Sequence, residues 1–132
     1  MIEFVFYSGE YPCLCHGVLV LKIDGHQYAF FPYSKHWGTP WGLERNENLD
    51  KIKMYYDDPN TTNVYGYSME SGGCAGVDND CEEYCEEGDW GVDFSHATLD
   101  DDFQFIIDDD LKEDIIKCVN ENVPHGCCGG CI

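Results

Sequence analysis

Residues 14–31, LCHGVLVLKIDGHQYAFF, are predicted to fold back on themselves at Asp24-Gly25. A two-residue type I′ turn needs positive φ at both central positions, and Asp-Gly is one of the few dipeptides that accept it. The flanking runs are rich in β-branched and aromatic residues, so 14–23 and 26–31 read as the two arms of a hairpin. The first arm is apolar at successive positions rather than alternating, which predicts a strand covered on both faces. IEFVFYS, residues 2–8, reads as a further strand.

The remainder is less regular. PYSKHWGTPWGLERN (32–46) has no period and reads as a loop, while LDKIKMYY (49–56) suits a strand and a short helix equally. DDPNTTN (57–63) reads as a turn. VYGYSM (64–69), WGVDF (90–94) and FQFII (103–107) are candidate strands, with Trp90, Val92 and Phe94 on one side. A helix follows, on which Leu111, Ile115, Cys118 and Val119, continued by Asn122, fall on one face at i, i+4, i+7 and i+8. Asp110 with Glu113 forms a capping-box-like start, Asp108–Asp110 suit the positive end of the helix dipole, and Pro124 stops it. No internal repeat or linker divides the 132 residues, so the expectation is a single domain over 1–132. Its class is α+β: an antiparallel sheet with an N-terminal hairpin and one C-terminal helix.

A chain that is 43% hydrophobic and 14% aromatic is too apolar to stay disordered. The N-terminus lacks the basic region of a signal peptide, and no stretch approaches the roughly 20 apolar residues of a membrane span. The expected location is therefore cytoplasmic, where thiols stay reduced or bind metal.

That expectation matters because the chain has nine cysteines. Cys13 and Cys15 precede His16; Cys74, Cys81 and Cys85 lie in a Gly-rich acidic stretch; Cys118 falls on the helix; Cys127, Cys128 and Cys131 close the chain after His125. Cys128-Gly-Gly-Cys131 has the spacing of a zinc knuckle. Two thiolates must approach one ion at about 2.3 Å, and the glycines let the backbone curl around it. A closed site needs four ligands. Cys13 and Cys15 are the second half, since residues i and i+2 of a strand share a face. The expected site is thus a structural Zn²⁺ held by Cys13, Cys15, Cys128 and Cys131, with His16, His125 or Cys127 as substitutes. Free thiols and a disulfide or redox pair are the alternatives, although a redox C-x-x-C normally sits before a helix, which this one does not. Cys118 belongs to the apolar face, and Cys74, Cys81 and Cys85 have weak ligand spacing for a second site.

Net charge is −19, and its distribution is uneven. Residues 70–121 hold 18 Asp or Glu against two Lys, whereas the first 69 carry eight acids and five bases. Such a surface is repelled by nucleic acid and anionic lipid and suits a basic protein partner. DNDCEEYCEEGD (78–89) begins like a calcium loop, but its sixth position is Glu83 instead of glycine and its twelfth is Asp89 instead of glutamate. A solvated surface is the plain reading of a charge run. The alternative is a nucleic-acid-like face, with Tyr84, Trp90, Phe94 and Phe103 supplying contact energy and the carboxylates speeding association. No serine-hydrolase, zinc-protease or phosphate-loop motif is present, and the five histidines (His16, His26, His36, His96, His125) are scattered, so the chain does not read as an enzyme.

CLCH (13–16), CCGGC (127–131) and the acidic block DNDCEEYCEEGDWGVDF (78–94) together give the chain a character that resembles phage-encoded anti-CRISPR proteins, some of which bind metal. The likeness is one of character over the whole chain and transfers no residue roles. It implies a monomeric zinc-binding inhibitor, in the bacterial host cytoplasm, of the RNA-guided nuclease of a type II-A CRISPR system. That nuclease has a positively charged channel for guide and target. The inhibitor would block loading of target DNA by filling the channel or fixing a recognition-lobe surface. The other function class is a zinc-stabilised bacterial module for metal handling or thiol redox.

Overall fold

The computed structural model describes residues 1–9, 17–32, 49–71, 90–99 and 103–123. In chain order its elements are β1 (Ile2–Tyr7), β2 (Leu19–Ile23), β3 (His26–Phe31), α1 (Leu49–Tyr56), β4 (Thr61–Tyr65), β5 (Ser68–Ser71), β6 (Trp90–Asp93), β7 (Thr98–Leu99) and α2 (Asp109–Asn122). Five strands form one sheet in the order β1-β2-β3-β4-β7, and β5 and β6 form a second, antiparallel pair.

The hairpin at Asp24-Gly25 forms as its sequence requires. Asp24 and Gly25 have φ of 51° and 86°, and Ile23 pairs with His26 through to Leu19 with Phe30. Val18, Leu19, Val20 and Leu21 are all fully buried. Leu19 and Leu21 face a core cluster with Phe30, Val64, Trp90, Ile115 and Val119, while Val18 and Val20 face a second with Ala29, Phe31, Ile52 and Tyr65. The five-stranded sheet is therefore covered on both sides. α2 and the β5–β6 pair lie over one face and α1 over the other. Strand β2 begins at Leu19, not at residue 14; Gly17 and Val18 precede it as non-strand, and 14–16 lie outside the described residues.

A bulge re-aims the edge strand. Phe4 pairs with Leu21 and Phe6 with Val20, so Val5 is the extra residue. Val5 and Phe6 in consequence both pack on the α1 side, whereas Ile2, Phe4 and Tyr7 pack on the α2 side.

Two expectations are corrected. The sheet is mixed, because β3 and β4 pair in parallel from Gln27 with Thr61 to Phe31 with Tyr65. A parallel pair needs a crossover, and the connection between these strands contains α1. There are accordingly two helices among the described residues, not one. Residues 49–56 become helical because Ile52, Tyr55 and Tyr56, at i, i+3 and i+4, together face the cluster beneath.

Smaller differences have equally local causes. Thr61–Asn63 belong to β4 and not to a turn, since they complete the parallel ladder beside β3. The stretch 64–69 is divided between β4 and β5 at Gly66, whose φ is +88° and whose N–H donates to Phe31 O at 2.8 Å. Residues 103–107 are not a strand; Gln104 makes only an isolated bridge to Thr98. The N-cap of α2 is Asp108, which accepts from Leu111 N at 2.7 Å, two residues before the expected Asp110. Ile115 and Val119 are buried along the expected helix face, while Asn122 is exposed. The helix ends at Val123, extended at ψ 129° as a residue before proline tends to be.

Gly66 supports a direct stability test. A Cβ there would stand 2.8 Å from the His96 carbonyl oxygen, on a backbone that L-residues rarely adopt. Gly66→Ala is expected to cost about 1–3 kcal/mol, read as a lower urea midpoint at unchanged slope. A variant as stable as the parent would show that this crossing relaxes freely.

Candidate functional site

Eight of the nine cysteines, including the expected ligands Cys13, Cys15, Cys128 and Cys131, lie outside the described residues. So do the substitutes His16, His125 and Cys127, the possible second set Cys74, Cys81 and Cys85, and the calcium-like stretch 78–89. Among the described residues no group of three or more His, Cys, Asp or Glu could hold a metal ion.

The flanks of the cysteine-bearing segments are described, and they border one core cluster. Gly9 and Gly17, on either side of residues 10–16, come so close that a Cβ on Gly17 would collide with the Gly9 backbone and the Tyr7 ring. Ser8 N donates to Val18 O at 3.1 Å and Val18 N to Ser8 Oγ at 2.7 Å, closing the base of that connection. The Tyr67 hydroxyl donates to the Gly17 carbonyl. Four residues beyond Tyr67, Ser71 pairs with Trp90 across the flanks of 72–89. The Asn120 side chain joins that pair to α2: Trp90 N donates to Oδ1 at 2.7 Å, and Nδ2 donates to Trp90 O at 3.1 Å and Ile116 O at 2.9 Å. Asn120 is three residues, about one helical turn, before Val123, so Trp90 at the flank of 72–89 is bonded to the last turn of α2. Leu19, Tyr67, Trp90 and Val123 share the cluster beneath.

Cys118 is the described thiol. It is half-buried against the apolar face of α2, as its spacing indicates. Burial raises its pKa, Glu121 adds to that rise, and a hydrogen bond from Asn122 partly opposes it. It therefore stays a neutral thiol and packs as a small apolar group. It borders a groove of about 380 Å³ between β1 and α2, lined also by Ile2, Phe4, Glu121 and Asn122.

The acidic face is where structure revises the aromatic reading most. Trp90 and Phe94 are 1% and 4% exposed, so they are core residues and unavailable to a partner. Tyr84 lies outside the described residues. Phe103 remains, at 67% exposure, and beside it in sequence is Ile106 at 80%, which spacing alone did not single out. Asp108, Asp109, Asp110, Glu113 and Asp114 are all exposed at the start of α2. Part of this clustering has a local cause, because carboxylates in a first turn are favoured by the helix dipole. Elsewhere, acids are used up in turns. The Asp58 carboxyl is held below its usual range by the Asn60 N–H and the Thr61 hydroxyl, and the Asp93 carboxyl by the Ser95 N–H and hydroxyl.

Of the described histidines, His26 Nε2 lies 2.7 Å from Thr62 Oγ1 and its ring stands edge-on to Tyr28. It borders a cavity of about 420 Å³ with Lys22, Gln27, Asp58 and Asn60. His16, His36 and His125 lie outside the described residues. No helix among the described residues is long and apolar enough to cross a membrane. No family model matches the chain, and no curated protein or solved structure matches it either.

Proposed function

We propose that this chain is a small acidic inhibitor of anti-CRISPR type, which binds the RNA-guided nuclease of a type II CRISPR system and blocks its loading with target DNA. The observation that carries the reading is the density of exposed carboxylate at the start of α2. Residues 108–114 bring five acids into the N-cap and first six residues of α2, about 9 Å along the axis, or one charge per ~2 Å against one per ~1.7 Å of B-DNA axis, with Lys112 offsetting one of them. Clustered like charge opposes folding, and a basic groove built for nucleic acid is a surface that would gain from it. The chain acts by binding, not by catalysis.

In this reading the cysteines serve the fold. Cys13, Cys15, Cys128 and Cys131 would hold a structural Zn²⁺, with His16, His125 or Cys127 able to substitute. Bound there, the ion would cross-link the β1–β2 connection to the tail after α2. The support is twofold: the C-x-x-C spacing, and the placement of both segments' flanks around one core cluster.

The purified chain is expected to retain a guide-loaded type II effector in a pull-down and to be displaced by target DNA. Its affinity is expected to fall at least tenfold between 50 and 200 mM salt, because exposed charges are screened over that range. Absence of retention with and without guide RNA would defeat the reading. A salt-insensitive complex would remove the acidic face from it.

A further inference from the structure

We propose that Phe103 and Ile106 are the apolar anchors of the docking surface, and that they enter an apolar pocket flanked by Lys and Arg on a basic protein. This rests on the inhibitor reading above and says which residues make the contact.

The segment presents these two side chains from a fixed backbone. Leu99 N donates to Phe103 O at 2.7 Å and Phe105 N to Ala97 O at 2.8 Å, which ties 103–105 to the β7 region. The Phe105 ring packs at 6.1, 5.7 and 5.9 Å from Tyr28, Phe30 and Phe94. Ile107 is half-buried against the same cluster. With Phe105 and Ile107 committed inward, Phe103 and Ile106 are left outward. Anchors held on a rigid support lose little entropy on binding, and a few such residues usually carry most of an interface's energy.

Charge identifies the occupant. In sequence the pair stands between two aspartate triads, Asp100–Asp102 and Asp108–Asp110, and the second triad is exposed immediately after Ile107. A second copy of this chain would bring the same aspartates together, so self-association is disfavoured. A partner with cationic groups around an apolar pocket satisfies both parts of the surface. Met54, also exposed, stands singly in a mixed-charge stretch with Lys51 and Lys53 as well as Asp50, Asp57 and Asp58, and so lacks the paired anchors between two runs of acid alone.

The test uses the full chain, with Phe103→Ser and Ile106→Ser singly and together, and with Asp108→Asn plus Asp110→Asn; asparagine also caps helices, so the first of these keeps the N-cap. Because 103 and 106 are exposed, the melting temperature should barely move. Against the type II effector, the double serine variant is expected to lose roughly tenfold or more in affinity at every salt concentration, with the salt slope unchanged. The asparagine pair should flatten the slope. The same variants are run on an immobilised synthetic helix of leucine and lysine, where the parent should be retained and the double serine variant should elute earlier. If the parent binds the effector but the double serine variant binds equally, the anchor assignment is wrong and the inhibitor reading stands. If the parent binds no effector, the inhibitor reading falls, and the leucine–lysine column decides the anchors alone. Equal elution there, or loss of a dimer on serine substitution, overturns them.

Discussion

Phe30→Ala is expected to lower the unfolding free energy by about 3–5 kcal/mol, the range found for deleting a buried phenyl group from a packed core. Phe30 is fully buried near the end of β3, and its ring centre lies 6.1 Å from Tyr28, 6.1 Å from Tyr67, 5.3 Å from Phe94 and 5.7 Å from Phe105. Those four partners come from four places in the chain: the strand itself, the entry to β5, the exit of β6 and the segment before α2. One ring thus joins the sheet to the flanks of β5 and β6 and to the segment before α2. Domains of this size hold only about 5–15 kcal/mol in total, so the variant should sit near its stability limit. Urea titration at 25 °C measures this. Phe30→Leu, which conserves most of the volume, should cost less than about 1.5 kcal/mol. A loss below about 1 kcal/mol for the alanine variant would show that the seam collapses around the gap, and that these ring contacts do not hold the two layers together.

The hairpin that Phe30 belongs to was legible because its information is local. Asp24-Gly25 permits the turn, and four apolar residues in succession at 18–21 announce burial on both faces. α2 was legible for the same reason, through Leu111, Ile115, Cys118 and Val119. The parallel β3–β4 pairing was not, because no residue of β4 encodes its partner's direction. The choice is made by the crossover that contains α1, and residues 49–56 become helical only when Ile52, Tyr55 and Tyr56 find the far face of the sheet. The bulge at Val5 was hidden likewise, since it is a mismatch between two strands and a property of neither. At the candidate surface, an alternating pattern did identify Trp90, Val92 and Phe94 as one side of a strand. It could not say that this side turns inward, which α2 decides by laying Asn120 across Trp90. FQFII read as a strand because its residues favour β structure. The backbone instead uses its hydrogen bonds on Ala97 and Leu99, which leaves Ile106 outside.

Metal removal should loosen the cysteine-bearing segments while leaving the core folded. Elemental analysis of the purified chain is expected to find one zinc per chain, and chelation should lower the melting temperature and make the C-terminal tail susceptible to protease. The effect should be smaller than the roughly 10–16 kcal/mol of apparent zinc binding seen in peptides that have no structure without the ion. Here two core clusters of described residues, one on each face of the sheet, already join β1–β4 and α2. Zinc would instead fix what leaves that core after Val123 and between Gly9 and Gly17. Cys131→Ser and Cys13→Ser should each lower metal content and stability together. Cys118→Ser should leave the metal in place, because that thiol is turned into the apolar face and kept protonated. The informative contrast is between Cys13→Ser and Cys81→Ser. Trp90, which flanks 72–89, is bonded to Asn120 of α2, three residues before the described chain ends at Val123, so the β5–β6 connection is the second candidate partner for the tail. If metal survives Cys13→Ser and is lost with Cys81→Ser, the clamp joins the tail to the β5–β6 connection. If neither change releases metal, or none is bound at the outset, the cysteines do not form the clamp, and the tail must be held by other contacts or by none.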